Sequence, residues 1–289
     1  MKKKVSVVIG YYNRKSLLIN TLNKFNQMYK DYNFEVIITD DKSNQENTLD
    51  DIINNYNFKI ILLKVLDKDW INPCVAYNLA IQNISHDTEF IIIQNPEIYH
   101  CTNIFDIVLK DLKEGLYLTF PIISSINDEQ TNKYINMTHD ELEKNILAPG
   151  SRISRPGKNG GWYNHPDYRR RNLHFLSAIH INDLKKIGGF NNEFKDGAWY
   201  DDDELLLRIQ KVCKVNCIHP KKNIDDDLIL GLHQYHAPLT TQNGTLRKKN
   251  EILFSKLKSN IKKKDFNVYC DLKLDINYKL IHNKHITLN

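Results

Sequence analysis

Apolar, β-branched runs recur through the first half of the chain, and each is followed by a stretch with helical spacing. VSVVIG (5–10) precedes Lys15–Tyr29, where Leu18, Leu22, Phe25 and Met28 fall on one helical face. FEVIIT (34–39) precedes a predicted helix over Asn47–Tyr56, and FKIILLKV (58–65) precedes another over Cys74–Ile84. EFIII (89–93) is followed by a helix near Asn103–Lys113 and by the strand LYLTFPII (116–123). Runs that are apolar at every position suit strands covered on both faces. Their alternation with helices predicts an α/β fold with a mixed, mostly parallel central sheet flanked by helices.

The second half is less regular. Residues 124–171 read as one long loop carrying Pro149–Gly150, Pro156–Gly157 and Gly160–Gly161. A loop of that length in a compact domain is usually either functional or disordered, and its glycine pair suits a lid. LHFLSAIHI (173–181) follows as a strand, then a short helix to Ile187, a Gly188–Gly189 turn and an acidic helix over 201–212. LILGLHQYH (228–236) is a late strand, and a basic helix begins near Leu246. In "YDDDEL", Asp201 and Glu204 have the spacing of a capping box, which leaves Asp202 and Asp203 without a structural role.

Charge divides the chain. The net charge is +5, yet Arg247–Asn289 holds eleven Lys/Arg against four Asp/Glu. The remainder is therefore close to neutral. A basic C-terminal segment suits a solvated helix face or peripheral contact with an anionic membrane. No nucleic-acid-reading motif accompanies it, so no nucleic-acid partner is expected. The five cysteines (Cys74, Cys101, Cys213, Cys217, Cys270) show no paired metal spacing. Together with the absence of a signal-peptide pattern or a membrane-spanning run, they lead to an expected cytoplasmic location.

In an open parallel sheet, ligands gather beyond the carboxyl ends of the strands. Here those ends carry Gly10-Tyr11-Tyr12-Asn13-Arg14, Asp40-Asp41-Lys42-Ser43, Gln94-Asn95-Pro96-Glu97 and His233-Gln234-Tyr235-His236. Neither GxGxxG after the first strand nor GxxxxGK[ST] occurs, which disfavours a dinucleotide and excludes a P-loop. A serine nucleophile elbow is absent as well.

VSVVIGYYNR, EVIITDDKS and the strand ending in Asn95-Pro96-Glu97 together resemble family 2-type glycosyltransferases with the GT-A, Rossmann-like nucleotide-sugar-binding fold. FLSAIHINDLKKIGGFNNEFKDGAWYDDDELLLRI is similar, more narrowly, to the catalytic region of β1,4-galactosyltransferase-like enzymes. The resemblance implies a catalytic domain over 1–240. Its nucleotide-sugar half would be 1–123 and its acceptor half 124–240, with a helical basic C-terminal extension over 241–289.

The same resemblance implies roles. Gly10, Tyr11, Tyr12, Asp41, Asn78 and Asn95 would hold a UDP-sugar donor, with Asn72 on the same donor-side helix. Glu97, His236 and His233 would bind a divalent metal, Mn²⁺ or Mg²⁺. The family's paired aspartates are here Asn95-Pro96-Glu97, which keeps one carboxylate for a hard cation. Asp202 would be the general base of an inverting transfer to a glycan or glycosylated acceptor. Trp162, Trp199, Tyr200, Asp201 and Asp203 would line the acceptor site. The reduced acidic motif also suits a nucleotide- or glycan-binding protein of the same fold without activity. A metal-dependent phosphohydrolase using Asp40, Asp41, Asp202 and His236 is the remaining alternative.

Overall fold

β-Branched side chains are stiff at χ1 and favour extended backbone, and the four early apolar runs form strands. β1 (Val5–Tyr11), β2 (Phe34–Asp40), β3 (Lys59–Val65) and β4 (Phe90–Gln94) pair in parallel in the order β4-β1-β2-β3. Helices α1 (Lys15–Met28) and α2 (Cys74–Gln82) cover the sheet, α1 burying Leu18, Leu22 and Phe25. α2 is buried nearly all round, as a helix apolar on every side must be. Val5, Val7, Ile9 and Tyr11 join one core cluster while Val8 joins the other, the two-residue period of a strand.

The computed structural model describes residues 3–147, 161–221, 223, 226–237, 244–262, 266–272 and 275–284. Pro149–Gly150, Pro156–Gly157 and Gly160, with the lid read into them, lie outside the described residues.

Beyond Glu97 the chain forms β5 (Ile98–His100) and α3 (Ile104–Asp111), whose first turn is capped by Asn103. The run 116–123, expected as one strand, is two: β6 (Leu116–Thr119) and β7 (Ile122–Ser124) belong to different sheets. Pro121 lies between them. It has no N–H to give to a ladder, so a central strand cannot continue through it. The helix expected over Asn47–Tyr56 is reduced to single 3₁₀ turns at Gln45–Asn47 and Ile53–Asn55. Asn44 caps the first, and Thr48 then takes an extended conformation, so local side-chain bonding displaces the helix.

The supposed loop 124–171 also contains structure. α4 (Asp128–Asn136), α5 (His139–Leu147) and β8 (Gly161–Asn164) occupy part of it. Asn127 caps α4, and Thr138 and Glu141 bond reciprocally at the start of α5.

β9 (Leu176–His180) runs antiparallel between β4 and β6, then α6 (Ile181–Ile187) and α7 (Asp201–Val212) follow. β10 (Lys214–Cys217) pairs with β6. β11 (Gly231–His233) leads to α8 (Gly244–Lys262) and β12 (Tyr278–His282), which pairs antiparallel with β3. The described strands form an eight-stranded sheet, β10-β6-β9-β4-β1-β2-β3-β12, and a four-stranded sheet, β5-β11-β7-β8. The fold is thus α/β with a mixed central sheet flanked by helices.

The basic C-terminal segment is built into this body. Leu253, Phe254, Leu257, Leu272, Ile276 and Tyr278 pack against the cluster that holds α2, α6 and α7. Side chains from the described residues beyond 240 thus share a core with those before it. Gly188, with φ of +81°, ends α6 as its left-handed cap. A Cβ there would lie 1.9 Å from the Cys270 carbonyl oxygen, so the C-terminal segment lies directly over the Gly-Gly turn.

Candidate active site

Glu97 follows β4, and His233 and His236 end and follow β11. Pairing of β5 with β11 places Ile98 opposite His233, which brings the three side chains together. Their ligand atoms all lie within 4.8 Å of one another. Glu97 Oε1 is 3.5 Å from His233 Nε2 and 3.8 Å from His236 Nε2. Burial pushes the Glu97 carboxyl up, but His233, Arg14 and His236 outweigh it and hold the group ionised, well below its usual range. Burial pushes His236 down, towards the neutral form that binds metals.

One carboxylate with two imidazoles is a donor set that suits Mn²⁺ better than Mg²⁺. His233 Nδ1 is buried without a hydrogen-bond partner, so this ring still has an uncommitted nitrogen. The residues therefore fit a divalent metal of that kind. The backbone beneath them is fixed. Gln234 donates from both its backbone N and its Nε2 to the Glu97 carbonyl, each at 3.1 Å. Asn95 donates to Glu97 Oε1 at 3.2 Å and accepts from the Tyr77 hydroxyl at 2.9 Å.

The second wall is the start of α7. The expected capping box does not form. Tyr200 is the N-cap, in a left-handed conformation without a side-chain bond. Asp201 is already inside the helix, buried, and accepts from Asn72 Nδ2 at 2.8 Å. Glu204 is engaged by the fully buried Arg208 through two bonds of 2.8 and 2.7 Å. Arg208 also donates to the Ile187 carbonyl. A bidentate buried pair of this sort outcompetes a reach back to the N-cap. Asp202 and Asp203 are half-buried. Burial first, then Asp201 and Asp203, push Asp202 upward, and burial likewise raises Asp201. The helix dipole at this end favours the charged forms and limits that rise.

Two tyrosines connect the walls. Burial, then the charges of Glu97 and Asp201, push the Tyr77 hydroxyl well above the phenol range. Tyr163 of β8 is raised by burial and Glu97, with Asp202 adding to it and Arg169 opposing. Its ring stacks on His233 at 4.3 Å between centroids. The charges of Glu97 and of the acidic helix thus act on the same two hydroxyls, a proximity that sequence spacing does not show.

Other expected residues divide between cleft and core. Tyr12 is exposed, with Lys68 Nζ 5.0 Å from its ring centre. Asp41 is buried and accepts from Lys68 Nζ at 2.6 Å and Trp70 Nε1 at 2.8 Å. Tyr11 does not offer its ring to the cleft. Its ring is buried on the α1 face, and its hydroxyl donates to the Asn47 carbonyl. Gly10 accommodates Tyr77, whose ring would lie 3.3 Å from an added Cβ. Asn78 is also structural. It donates to the Phe190 carbonyl and to Asn192 Oδ1 and accepts from Phe190 N, so its amide is consumed in holding the Gly-Gly-Phe turn.

Trp162, expected on a loop against the acceptor, lies in β8 and is 1% exposed within a third apolar cluster. Strand alternation turns it inward and Tyr163 the other way. Trp199 is half exposed, directly before the acidic run. Arg247 of α8 lies over its ring at 4.5 Å. Tyr200 instead stacks on Phe254 of α8. Trp199 and Tyr200 both have φ of +69°, sparsely populated for side chains of this size. Asn250 of α8 holds them, donating to the Trp199 carbonyl at 2.9 Å and to the Phe194 carbonyl at 3.1 Å. Asn250, Arg14, Lys68, Trp70 and Gln234 were not legible as site residues. Position beside a strand end offered a signal for Arg14, Lys68 and Trp70, and position between two histidines for Gln234; Asn250, inside α8, had none.

The sequence model of glycosyl transferase family 2 matches residues 6–179, more than half of the chain. The chain belongs to glycosyl transferase family 2. That match spans β1 through β9 and so includes the Glu97 strand end. None of the curated proteins matches the chain in sequence. Among solved structures, GalNAc-T7 with UDP, GalNAc and Mn²⁺ is similar at a TM-score of 0.57 and 16% identity, over 89% of this chain and 48% of that one. S. aureus TarS 1-349 in complex with UDP-GlcNAc is similar at 0.52 and 14%, over 84% and 61%. The chain thus spans about half to three fifths of these two proteins. The catalytic domain of Drosophila β1,4-galactosyltransferase 7 with xylobiose gives 0.48 and 14%, over 83% and 76%. The family match and the first two likenesses establish the GT-A fold and leave the narrower class open.

Proposed function

We propose that the chain is an inverting glycosyltransferase that moves a sugar from a UDP-sugar to a hydroxyl of a glycan or glycosylated acceptor. The observation that carries this reading is the gathering of Glu97, His233 and His236, whose ligand atoms lie within 4.8 Å of one another; Glu97 and Asp202, at the start of α7, both raise the Tyr163 hydroxyl. UDP and Mn²⁺ bound by the similar GalNAc-T7 structure, and UDP-GlcNAc bound by TarS, support the choice of donor. The acidic run after the Ile-Gly-Gly-Phe turn supports a β1,4-galactosyltransferase-like acceptor half.

Tyr12 offers an exposed ring to the nucleoside. Each Asp41 oxygen has a lone pair beyond its bonds to Lys68 and Trp70, available to a base N–H. A divalent ion held by Glu97, His233 and His236 would supply positive charge to the departing diphosphate. The acceptor oxygen bonds to the anomeric carbon as the bond from that carbon to the diphosphate breaks. The acceptor proton passes to the Asp202 carboxylate, whose raised pKa suits a base working near neutrality. Asp201, bound by Asn72, holds the first turn in place, and Trp199 presents a face on which an acceptor sugar can stack.

The exposed side of α8, with Arg247, Lys248, Lys249, Lys256 and Lys258, is our candidate for peripheral contact with anionic membrane. Equal sedimentation with neutral and anionic vesicles would exclude it. The transfer reading is tested by UDP release from a panel of UDP-sugars with Mn²⁺, with and without glycan acceptors. Acceptor-dependent release is expected. UDP binding without release under any pairing would favour a binding protein, and phosphate release without an acceptor would favour a phosphohydrolase.

A further inference from the structure

Glu97 has neighbours of two kinds. Its Oε1 faces His233, His236 and Asn95, while its Oε2 lies 3.1 Å from Arg14 Nη1. Both side chains are largely shielded, 15% exposed for Arg14 and 6% for Glu97. Yet Arg14 Nη1 has no hydrogen-bond partner. The two charges are close without the aligned, forked geometry that makes arginine–carboxylate pairs strong. Arg14 caps α1 with its backbone only, so its side chain is not committed elsewhere in the helix start.

The charge count gives this meaning. With both imidazoles neutral, as metal ligands must be, Glu97 and Arg14 cancel. A divalent ion entering beside Glu97 would add two positive charges next to a guanidinium that cannot deprotonate. Only one carboxylate is present to offset them, and in a shielded site that repulsion is weakly screened. A diphosphate brings several negative charges and restores the balance.

We propose that Arg14 is the resident counter-ion of Glu97, so that the divalent metal binds strongly only together with a nucleoside diphosphate. This rests on the metal site of the function proposed above and adds the order in which that site fills. By linkage, the nucleotide raises metal affinity by the factor by which the metal raises nucleotide affinity. Arg14 is the source of that factor. Removing its charge strengthens binding of the metal alone and weakens the coupling.

The test is Mn²⁺ titration followed by electron paramagnetic resonance, with and without saturating UDP, on the full chain. Arg14→Met and Arg14→Gln remove the charge, and Arg14→Lys keeps it. UDP titrated with and without Mn²⁺ gives the same coupling from the other side. The unmodified protein is expected to gain at least tenfold in Mn²⁺ affinity when UDP is present. Either neutral variant should bind Mn²⁺ alone at least tenfold more tightly than the unmodified protein and lose most of the coupling, while Arg14→Lys stays close to the original. Equal Mn²⁺ affinity with and without UDP in the unmodified protein would overturn the proposal and leave the metal site standing. So would neutral variants that bind Mn²⁺ alone no more tightly. Failure of every form to bind Mn²⁺, even with UDP, would instead remove the metal site and this proposal with it.

Discussion

Asn72 Nδ2 donates to Asp201 Oδ1 at 2.8 Å, across 129 residues of sequence, and ties the start of α2 to the start of α7. Asn72 also accepts from Cys74 N through its Oδ1, so one amide fixes two helix beginnings. Asp201 is 5% exposed, and its carboxylate depends on that donor. Asn72→Ala is expected to cost about 1–3 kcal/mol of stability by leaving a buried acceptor unsatisfied. Without the amide, Asp201 binds its proton more tightly in the folded state. The deficit should therefore be largest at neutral pH and shrink as the pH falls and Asp201 becomes neutral. Urea unfolding at two pH values measures this; a loss independent of pH would mean that the amide acts on packing alone.

Asp202 carries the chemical proposal. Asp202→Asn should lower transfer by about 10²–10⁴-fold, the span of general-base catalysis, while UDP binds as before. Its carboxyl is raised by burial and by Asp201 and Asp203, and only the ionised form accepts a proton. The rate should therefore fall on the acid side with a midpoint above the ordinary aspartate value of about 4. A pH–rate profile flat down to that value would assign the base elsewhere.

Asn250 connects α8 to the residues that precede α7. Its bond to the Trp199 carbonyl helps hold two consecutive left-handed residues, each strained by about 1–3 kcal/mol. Asn250→Ala should raise the acceptor KM and leave UDP affinity unchanged. Gly197→Ala should act in the same direction, because its Cβ would meet Asn250 Oδ1 at 2.1 Å. Kinetics with varied acceptor report on both; unchanged KM values would confine Asn250 to folding.

Glu35 governs acid stability away from the site. It is fully buried in β2, bonded by Ser6 and Ser85 and paired with Lys4 and Lys59. Burial pushes its carboxyl up, but the bonds from Ser85 and Lys59 outweigh it and hold the value down to about 2, against an ordinary 4.5. Lowering a carboxyl in the folded state gives stability present above the ordinary value and lost as pH falls through the folded one. That difference corresponds to on the order of 3 kcal/mol. Acid unfolding should steepen between about pH 4.5 and 2, and Glu35→Gln should flatten that segment.

The sheet, and the gathering of Glu97, His233 and His236, were legible because they rest on strands and their ends. The apolar runs fix β1 to β4, and chemistry at strand ends places Glu97, His233 and His236 near one edge. The failures share a cause in long-range pairing. Asp201 reads as a cap until Asn72 takes its carboxylate, and Glu204 reads as a capping partner until Arg208 takes it. Asn78 reads as a ligand amide until the Gly189–Phe190 turn docks on it. Tyr11 reads as a cleft residue by resemblance and Trp162 by residue type, whereas strand alternation sends both rings into the core. Pro121 was visible in the sequence, and its missing N–H was signal enough to divide 116–123.

β12 lies along β3, and Asn283 clamps the join by accepting from Ile60 N and donating to the Phe58 carbonyl. Ile60 and Asn283 are 223 residues apart, so this edge of the sheet stays open until the segment carrying Asn283 has been made. Until then β3 presents an open apolar ladder able to recruit a neighbouring chain. A version stopped at residue 272 should fold its active-site walls yet self-associate, which light scattering would detect; a monodisperse monomer would show that β3 needs no cover. The C-terminal segment thereby acts as a seam that protects the newborn enzyme from its neighbours.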